Sequence, residues 1–362
     1  MPHKNCVGTL FVTIKKLKIK KVTSNGSIFA YITKTEIMSL IFTFILLLAI
    51  TLILTLLITI VAAISKLMGQ PFWKSFKAGL WILLVPPLAL LYGALIERNQ
   101  TQTNCVDIIS ENVPQTFDGY KIVHISDMHL LSFIGREDAL TRIVEKINAQ
   151  LPDAILFTGD IVTQNSSEFN TTKDILARLH ARDGVYSILG NHDYSFYNRW
   201  ENEELRKKDA DAIVGQQRAF GWNLLLNENR NIVRGSDTLS IIGVENTSSK
   251  HKFRSYGNLA KAAQGAEGKF KILLTHDPSH WHTEVLPKTN IDLTLSGHTH
   301  AMQSTLFGWS IISFVYKEYM GLYKDDNRFL YVNIGLGETM FPFRVGAKPE
   351  ITVITIKNRS AE

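Results

Sequence analysis

Five short segments of the sequence carry side chains that bind hard divalent metal ions. In chain order they are Asp-Met-His at 127–129, Gly-Asp at 159–160, Gly-Asn-His-Asp at 190–193, His276, and Gly-His-Thr-His at 297–300. Carboxylates and imidazoles suit Mn, Fe, Zn and similar ions, and two such ions held ~3.5–4 Å apart clamp the attacking and leaving oxygens of a phosphoryl transfer. The segments therefore predict the ligand inventory of a two-metal hydrolase.

The residue types suggest how the ligands divide. Asp160 is the best candidate for a bridging ligand, because a carboxylate offers two oxygens with about four lone-pair positions. Asp127 and His129, two residues apart in an extended loop, can reach one ion, and Asn191 can offer an uncharged amide oxygen to the other. Two metals would lower the pKa of a water between them and so produce hydroxide for attack on phosphorus. Three further histidines complete the two ligand sets: His276, His298 and His300.

His192 has a different predicted role, because it neighbours a ligand and is followed by an acidic residue. A protonated imidazole at this position can stabilise charge on the phosphoryl group or protonate the departing oxygen. Asp193 is expected to orient the His192 ring. Loss of His192 should therefore affect turnover far more than metal content.

The elements that must position these residues alternate between strands and helices, which predicts an α/β fold. Helical spacing of apolar residues marks 139–147, and a charged amphipathic stretch marks 200–220. Each candidate ligand falls just beyond the carboxyl end of a predicted strand, where open α/β sheets gather residues distant in sequence. The predicted strands are 122–125, 154–157, 185–189, 270–274, 291–295, 329–334 and 350–356.

The order D-x-H, G-D, G-N-H-D, H, G-H-x-H resembles the calcineurin-like metallophosphoesterase superfamily, from Tyr120 to roughly Ile356. The resemblance implies a four-layer αββα sandwich and two divalent ions, commonly Mn, Fe or Zn. It also implies two ligand sets. One ion would be held by Asp127, His129, Asp160 and His300, and the other by Asp160, Asn191, His276 and His298.

Gln303, Arg344 and Pro349-Glu350 are similar to the membrane-associated bacterial branch of this superfamily, and Arg344 is on this ground a candidate substrate-binding residue. Two features depart from that branch. Ala301-Met302 stands where the branch usually has two glycines, and 307–315 is unusually apolar. The apolar stretch is either a buried strand or a surface that reaches toward lipid.

Two apolar segments precede the catalytic region. Residues 37–65 carry no charge for 29 residues, which exceeds the ~20 needed to cross a bilayer as a helix. Residues 78–96 add 19 uncharged residues, with Pro86 and Pro87 at their centre. Because two prolines remove two backbone donors, this segment is predicted to be a kinked span or a re-entrant segment. The expected organisation is a basic arm (1–36), a membrane region (37–98) and a phosphoesterase domain (99–362).

Positive charge is concentrated in the arm, which holds seven lysines and one glutamate and so accounts for the whole net charge of +6. The catalytic region is not basic overall, and a nucleic-acid partner is therefore not expected. If the chain starts at Met1, the arm places itself and the catalytic domain on the cytoplasmic side. If it starts at Met38, most of the positive charge near the membrane lies between the two apolar segments, at Lys66, Lys74 and Lys77. The domain then faces outward. Both orientations stay open.

Together these features predict a membrane-anchored, two-metal enzyme that hydrolyses a phosphodiester or a pyrophosphate, with a lipid-linked phosphoester as one form of substrate. Within the superfamily, the UDP-2,3-diacylglucosamine pyrophosphatases of lipid A synthesis are the specific alternative, and a cytoplasmic domain would favour it. A non-catalytic scaffold of the same fold is a second alternative, against which the intact ligands argue. A membrane-bound nuclease is disfavoured by the charge distribution. The two cysteines, Cys6 and Cys105, form no C-x-x-C pair, so thiolate ligation is not expected.

Overall fold

The computed structural model describes residues 34–250 and 253–359, so nearly all of the predicted basic arm lies outside the described residues. The chain divides near residue 92 into an N-terminal helical unit and a larger α/β unit. Each unit is described by itself below.

The N-terminal unit is helical and apolar. It contains α1 (Lys34–Leu67), α2 (Phe72–Gly79) and the beginning of α3 (Val85–Leu95), with a 3-10 turn at Leu80–Leu84 between the last two. Ile41–Leu67 and Phe72–Asn99 are each long and apolar enough to cross a membrane. At 1.5 Å per residue, the 27 residues of the first segment extend about 40 Å, which exceeds a hydrocarbon layer of about 30 Å.

The second apolar segment is not one regular α-helix. The 3-10 turn ends immediately before α3, and Pro86 and Pro87 occupy the first turn of that helix. Prolines are tolerated there because the first backbone N–H groups of a helix have no partner within it. The 3-10 turn therefore gives way to the α-helix at the one place in that helix where two prolines are tolerated.

The α/β unit contains twelve strands and five further helices among the described residues. The helices are α4 (Glu137–Asn148), α5 (Lys173–Leu176), α6 (Glu203–Ala219), α7 (Leu259–Ala263) and α8 (Leu286–Lys288). The strands are β1 (Gln102–Ser110), β2 (Tyr120–Ile125), β3 (Ala154–Phe157), β4 (Val185–Ser187), β5 (Asn223–Leu224), β6 (Glu228–Arg234), β7 (Asp237–Gly243), β8 (Phe270–Leu274), β9 (Leu293–Ser296), β10 (Gly321–Asp325), β11 (Arg328–Val332) and β12 (Glu350–Asn358).

The strands form two six-stranded mixed sheets. The first has the order β1-β12-β2-β3-β4-β5 and the second β10-β11-β9-β8-β7-β6. In the first sheet β12 runs parallel to β1 and antiparallel to β2, while β2, β3, β4 and β5 are parallel. In the second sheet β7, β8, β9 and β11 are parallel, and β6 and β10 are antiparallel edge strands.

Three apolar clusters give the order of the layers. One contains side chains of both sheets, such as Ile122 and Leu156 of the first and Leu295 of the second, so the sheets pack face to face. The outer face of the first sheet packs against α4 through Leu140. The outer face of the second sheet packs against α7 through Leu259. The α/β unit is therefore an αββα sandwich, as the resemblance implied.

Strands β3 and β8 have the predicted bounds, while the other predicted strands differ by a few residues at their ends. The expectation of a buried strand at 307–315 is wrong. Leu306 and Trp309 form only an isolated bridge, and a 3-10 turn follows at Ile311–Phe314. The large apolar side chains of this stretch are mostly exposed, because neither sheet extends beneath them.

Candidate metal centre

The five predicted segments meet where the carboxyl ends of five strands of the two sheets converge. The loops after β2, β3 and β4 come from the first sheet, and those after β8 and β9 come from the second. Backbone bonds join neighbouring loops: Asp127 N–H donates to Gly159 O over 2.9 Å, and His129 N–H donates to Asp160 O over 3.1 Å. The sandwich thus assembles ligands that lie up to 173 residues apart in sequence, from Asp127 to His300.

Asp127, His129 and His300 form the first group of converging ligand atoms. His300 Nε2 lies 3.1 Å from Asp127 Oδ1 and 3.1 Å from His129 Nε2. The other oxygen of Asp127 is occupied, because it accepts hydrogen bonds from Ser126 Oγ at 2.5 Å and from the His298 N–H at 2.9 Å. These bonds hold the carboxylate so that Oδ1 faces the two imidazoles.

Asp160 lies between the first group and a second one. Its Oδ2 is 3.7 Å from His129 Nε2 and 3.1 Å from His276 Nε2. His276 Nε2 is in turn 3.2 Å from His298 Nδ1, which completes the second group. The remaining oxygen, Oδ1, accepts the His192 N–H over 2.8 Å. The carboxylate predicted to bridge is thus the one that contacts both histidine pairs.

The chemistry of these atoms fits divalent cations. Two nitrogen or oxygen ligands at about 2.0–2.2 Å from one ion lie about 3 Å apart when their bonds meet near a right angle. The separations of 3.1 and 3.2 Å between facing imidazole nitrogens match this requirement. Asn191 Oδ1 is buried with no hydrogen-bond donor among the described residues, while its Nδ2 donates to the Tyr197 hydroxyl over 2.9 Å. The amide oxygen is therefore available as a ligand.

Partners on the far side of the rings set the orientation of the histidines. The Thr158 carbonyl lies 2.8 Å from His276 Nδ1, and the Thr163 carbonyl lies 2.6 Å from His192 Nδ1. Because a carbonyl only accepts, both Nδ1 atoms carry the proton and both Nε2 atoms face the cluster. Such outer partners fix the tautomer and angle of a metal-binding imidazole.

Asp193 does not contact the His192 ring as expected. Its buried carboxylate accepts the backbone N–H groups of Asp160, Ile161, Val162 and Gly190 at 2.8–3.2 Å. The Thr163 carbonyl holds the His192 ring instead. Asp193 therefore joins the loop after β3 to the loop after β4 and positions Asp160, rather than orienting His192.

Arg344 is also placed differently from the substrate-binding role expected for it. The side chain is fully buried, and its guanidinium donates to the carbonyl oxygens of Ala347, Ile334 and Gly337. Nη2 also lies 3.4 Å from His300 Nδ1. Arg344 thus lies behind a candidate ligand and does not line the cavity.

Most of the candidate ligands have unusual backbone conformations. Asp127, His129, Asp160, His298 and His300 all have positive φ values, between 42° and 72°. Left-handed residues other than glycine are uncommon, and they persist where the surrounding structure determines them strongly. The loops therefore hold strained backbone at the cluster.

Two glycines of the motifs are required by close packing. A Cβ atom on Gly297 would collide with Ser126 Oγ and Asp127 Oδ2, and one on Gly190 would collide with Asp160 Oδ1. Since these oxygens belong to the cluster or support it, a side chain at either position would displace a ligand. This contact explains why glycine precedes the ligand in both motifs.

Burial disfavours the charged form of each group in the cluster, and opposite charges counteract it. Burial raises the pKa of Asp127 and of Asp160, but the neighbouring histidines outweigh this, and both pKa values lie well below their usual range. Burial lowers the pKa of His276, yet Asp160 more than compensates and the pKa rises to about 10. Both carboxylates are therefore ionised at neutral pH and attract cations.

The cluster forms the floor of a cavity of about 600 Å³. Two polar residues that line this cavity belong to no motif that would have identified them from the sequence. They are Lys250 and Tyr197, whose ring stacks on His192 with 3.9 Å between the ring centroids. Tyr316 donates toward the buried Asp277 over 3.2 Å, and its hydroxyl lies 3.0 Å from His298 Nε2. Asp277 directly follows a ligand, a position that could have suggested a supporting role. Much of the remaining lining is apolar and includes Met302, Ile312, Val315, Met340 and Phe341.

Residues 120–302, which contain all the candidate ligands, match the family model of the calcineurin-like phosphoesterases. The chain belongs to this family. The metallophosphoesterase YkuE of Bacillus subtilis (strain 168) is 34% identical over 282 residues, covering 74% of this chain and 89% of that protein. The match confirms the predicted family and a metal-dependent phosphoester hydrolase as the class of enzyme.

The chain is also similar to a protein named for a transmembrane region and to one named as a pyrophosphatase. A transmembrane protein with metallophosphoesterase domain from Danio rerio is 28% identical over 292 residues, covering 78% of this chain, which spans only 63% of that protein. The UDP-2,3-diacylglucosamine pyrophosphatase LpxG of Chlamydia trachomatis (serovar D) is 26% identical over 309 residues, covering 71% of this chain and 89% of that protein.

Proposed function

We propose that this phosphoesterase is a membrane-anchored enzyme that holds two divalent ions and hydrolyses a phosphodiester or a pyrophosphate. The observation that carries the proposal is the position of Asp160, whose Oδ2 contacts histidines of both groups. One ion, Mn, Fe or Zn, would be bound by Asp127, His129, Asp160 and His300. The other would be bound by Asp160, Asn191, His276 and His298.

Two ions in these positions would supply a water of lowered pKa and neutralise charge on the phosphoryl group. In the overall reaction a water oxygen bonds to phosphorus, one P–O bond breaks, and the departing oxygen takes a proton. The protein holds the proposed ligands in fixed positions for this reaction. Its ligand loops are held by Asp193 and by backbone bonds between them, so little reorganisation accompanies substrate binding.

His192 is suited to provide the proton for the departing oxygen. Its Nδ1 is held by the Thr163 carbonyl and its ring is stacked on Tyr197, so Nε2 has a fixed direction beside the cluster. Burial lowers the pKa of His192. A phosphate anion bound next to the ring would raise that pKa again and allow the protonated form to act as an acid.

The UDP-2,3-diacylglucosamine pyrophosphatase activity of lipid A synthesis is the second candidate. The relative of that name in Chlamydia trachomatis supports it, and so does the apolar wall of the cavity, which suits acyl chains. This activity requires a cytoplasmic domain, because nucleotide-linked precursors are cytosolic. A reporter fusion that showed the domain to lie outside the cytoplasm would exclude this activity.

The test is a substrate panel for the purified full chain with Mn. It comprises an aryl phosphate monoester, an aryl phosphodiester, a nucleotide pyrophosphate, UDP-2,3-diacylglucosamine and a phospholipid. We expect diesters or pyrophosphates to turn over faster than the monoester, chelation to abolish turnover, and added Mn to restore it. Asp160→Asn should be inactive, and unchanged turnover of that variant would refute the catalytic role assigned to this centre. Absence of turnover on every substrate of the panel with Mn would favour the non-catalytic scaffold.

A further inference from the structure

The stretch at 302–315 is the most apolar surface of the α/β unit among the described residues, and we call it the apolar loop. No charged residue occurs from 301 to 316. Phe307 is fully exposed, Phe314 is 80% exposed and Trp309 is 50% exposed. Large contiguous apolar surfaces on soluble domains mark sites of protein or membrane contact. Further exposed apolar side chains of the loop are Met302, Leu306, Ile311 and Val315.

The tip of the apolar loop holds an aromatic ring away from the domain. Leu306 and Trp309 exchange two backbone hydrogen bonds, at 2.8 and 3.0 Å, around a two-residue turn. Phe307 and Gly308 within this turn have φ values of 52° and 80°. Positive φ suits the second position, but it is a rare conformation for a bulky residue such as phenylalanine. The turn therefore maintains an exposed ring at a conformational cost that packing within the domain does not explain.

The base of the apolar loop is joined to the end of the second apolar segment. Thr305 N–H donates to Val345 O over 2.8 Å, and Val345 N–H donates to Gln303 O over 2.9 Å. The next residue, Gly346, donates its N–H to the buried Glu97 carboxylate over 2.9 Å. Glu97 lies near the end of the candidate span Phe72–Asn99. The loop base and the end of the span therefore bind the same short segment of the domain.

A second contact supports this placement. Arg98, the residue after Glu97, pairs with Glu338 at 2.5 Å. Glu338 directly precedes Thr339, which lines the cavity together with Met340. The residues that follow the second apolar segment are thus paired with a residue next to the lining of the cavity. The end of that segment is therefore held by the same part of the domain that holds the base of the apolar loop.

The inner side of the apolar loop is part of the cavity. Met302, Ile312 and Val315 line it together with His192 and Asn191. The apolar loop therefore contributes apolar side chains both to the exposed surface around Phe307 and to the cavity that holds the candidate metal centre. A molecule with a phosphoryl group at the centre and an apolar chain on this wall would extend toward the loop tip.

We propose that the apolar loop contacts the bilayer and that the cavity takes its substrate from it, as a phosphodiester or pyrophosphate carrying lipid chains. Aromatic residues favour the boundary between headgroups and acyl chains, and exposed apolar side chains bind there by burying their surface. The choice of substrate rests on the proposed function. The proposed contact with the bilayer is independent of that function.

Fluorescence quenching tests the contact without any catalysis. The full chain and its Trp309→Phe variant are placed in nanodiscs with ordinary or brominated phospholipid chains. Subtracting the two emission spectra isolates Trp309, because the other five tryptophans contribute equally to both proteins. We expect brominated chains to reduce the Trp309 emission by roughly half or more, as for an indole ring at the membrane interface. Emission that responds only to an aqueous quencher would refute the contact.

A pair of substrates tests delivery from the bilayer. Phe307→Ser/Phe314→Ser is compared with the control Leu151→Ser/Val233→Ser, which removes two exposed apolar side chains elsewhere. The substrates are bis(p-nitrophenyl) phosphate in water and a phospholipid with a p-nitrophenyl phosphodiester headgroup in the nanodisc. We expect the loop variant to lose about tenfold or more on the lipid only, since lost apolar contact weakens binding at the interface. The control should match the wild type on both.

The other outcomes separate the two proposals. An equal loss on both substrates, or no loss on either, would refute delivery from the bilayer. If the loop variant changes the number of chains per nanodisc and brominated lipid leaves Trp309 unquenched, the loop binds a second copy of the chain, and contact with the bilayer is refuted. If the wild type hydrolyses neither substrate with Mn, the proposed function fails, while quenching of Trp309 still decides whether the loop meets the bilayer.

Discussion

The candidate metal centre and the apolar loop line the same cavity, but they are held in place differently. At the centre, each side chain has several partners: Asp160 accepts from His192, faces two histidines, and is positioned through its backbone by Asp193. In the apolar loop, Phe307 and Phe314 are exposed. The turn at its tip is closed by two backbone hydrogen bonds between Leu306 and Trp309.

The difference follows from what each region must do. Polar atoms buried without partners are costly, so the centre requires a complete set of oriented donors and acceptors. Exposed apolar atoms have no such requirement within the domain, and their free energy depends on the surroundings. The centre should therefore be sensitive to small changes and the loop tolerant of large ones. Four predictions, from the largest expected effect to the smallest, test this contrast.

Gly297→Ala should have the largest effect, because it should disturb metal binding and turnover together. Its methyl group would collide with Ser126 Oγ and Asp127 Oδ2, which displaces a candidate ligand of the first proposed ion. We expect turnover to fall by roughly 10²-fold or more, because a misplacement of about 1 Å can cost this much. Metal content, measured by elemental analysis, should also fall.

The matched control for that substitution is Gly215→Ala in α6, where the new methyl group meets no atom within 4 Å. This control should keep full activity and gain about 0.5–1 kcal/mol of unfolding free energy, because alanine favours a helix over glycine. Normal metal content and turnover in Gly297→Ala would contradict the tight packing described for the centre.

His192→Ala should separate catalysis from metal binding within the centre. Removal of a general acid typically costs about 10²–10⁴-fold in rate, and the ligands of both proposed ions remain. Elemental analysis should therefore give wild-type metal content while kcat falls. His282→Ala, which removes a half-exposed histidine paired with Glu318, is the control and should change neither quantity. Loss of metal from His192→Ala would identify His192 as a ligand.

Tyr316→Phe tests the place where the loop meets the centre, since Tyr316 follows the apolar loop and its hydroxyl lies 3.0 Å from His298 Nε2. Without this partner the ring is oriented less well, and outer partners typically contribute about 10–100-fold to metal affinity. We expect a weaker affinity for Mn, measured by calorimetry on the full chain. Tyr323→Phe is the control, because that hydroxyl faces the backbone of Tyr319 instead.

Met302→Gly should have the smallest effect, and in the stabilising direction. Met302 has a φ of 53° and is 43% exposed, so a glycine relieves a left-handed conformation and loses little packing. The left-handed region costs about 1–2 kcal/mol and glycine loses about 0.5–1 kcal/mol in entropy, so we expect a net gain of up to about 1 kcal/mol. Thermal unfolding in detergent measures it.

Leu205→Gly provides the opposite case, because Leu205 is an exposed apolar residue in the helix α6. Here glycine relieves no strain and should lower the unfolding free energy by about 1 kcal/mol. Equal destabilisation of both variants would show that the backbone at Met302 is not strained.

Several elements of the fold could be predicted from local sequence. Strands β3 and β8 are short apolar runs, each followed by a motif that ends the strand, and their bounds are as predicted. Strand β1 has no counterpart among the predicted strands, because its first residues, Gln102 to Asn104, are polar. This strand forms by pairing with β12, with Gln102 opposite Glu350. No local pattern records a partner so distant in sequence.

The sequence by itself determined the family, the kind of candidate ligands and their order, because the motifs must supply particular side chains whatever surrounds them. Only the tertiary structure decided the supporting roles of Asp193 and Arg344. Their types suggested contact with His192 and with substrate, but buried charges are satisfied by whichever backbone groups the packing brings near. The same reason applies to the apolar stretch at 307–315: its composition suits a strand or a surface, and the ends of the sheets decide which it becomes.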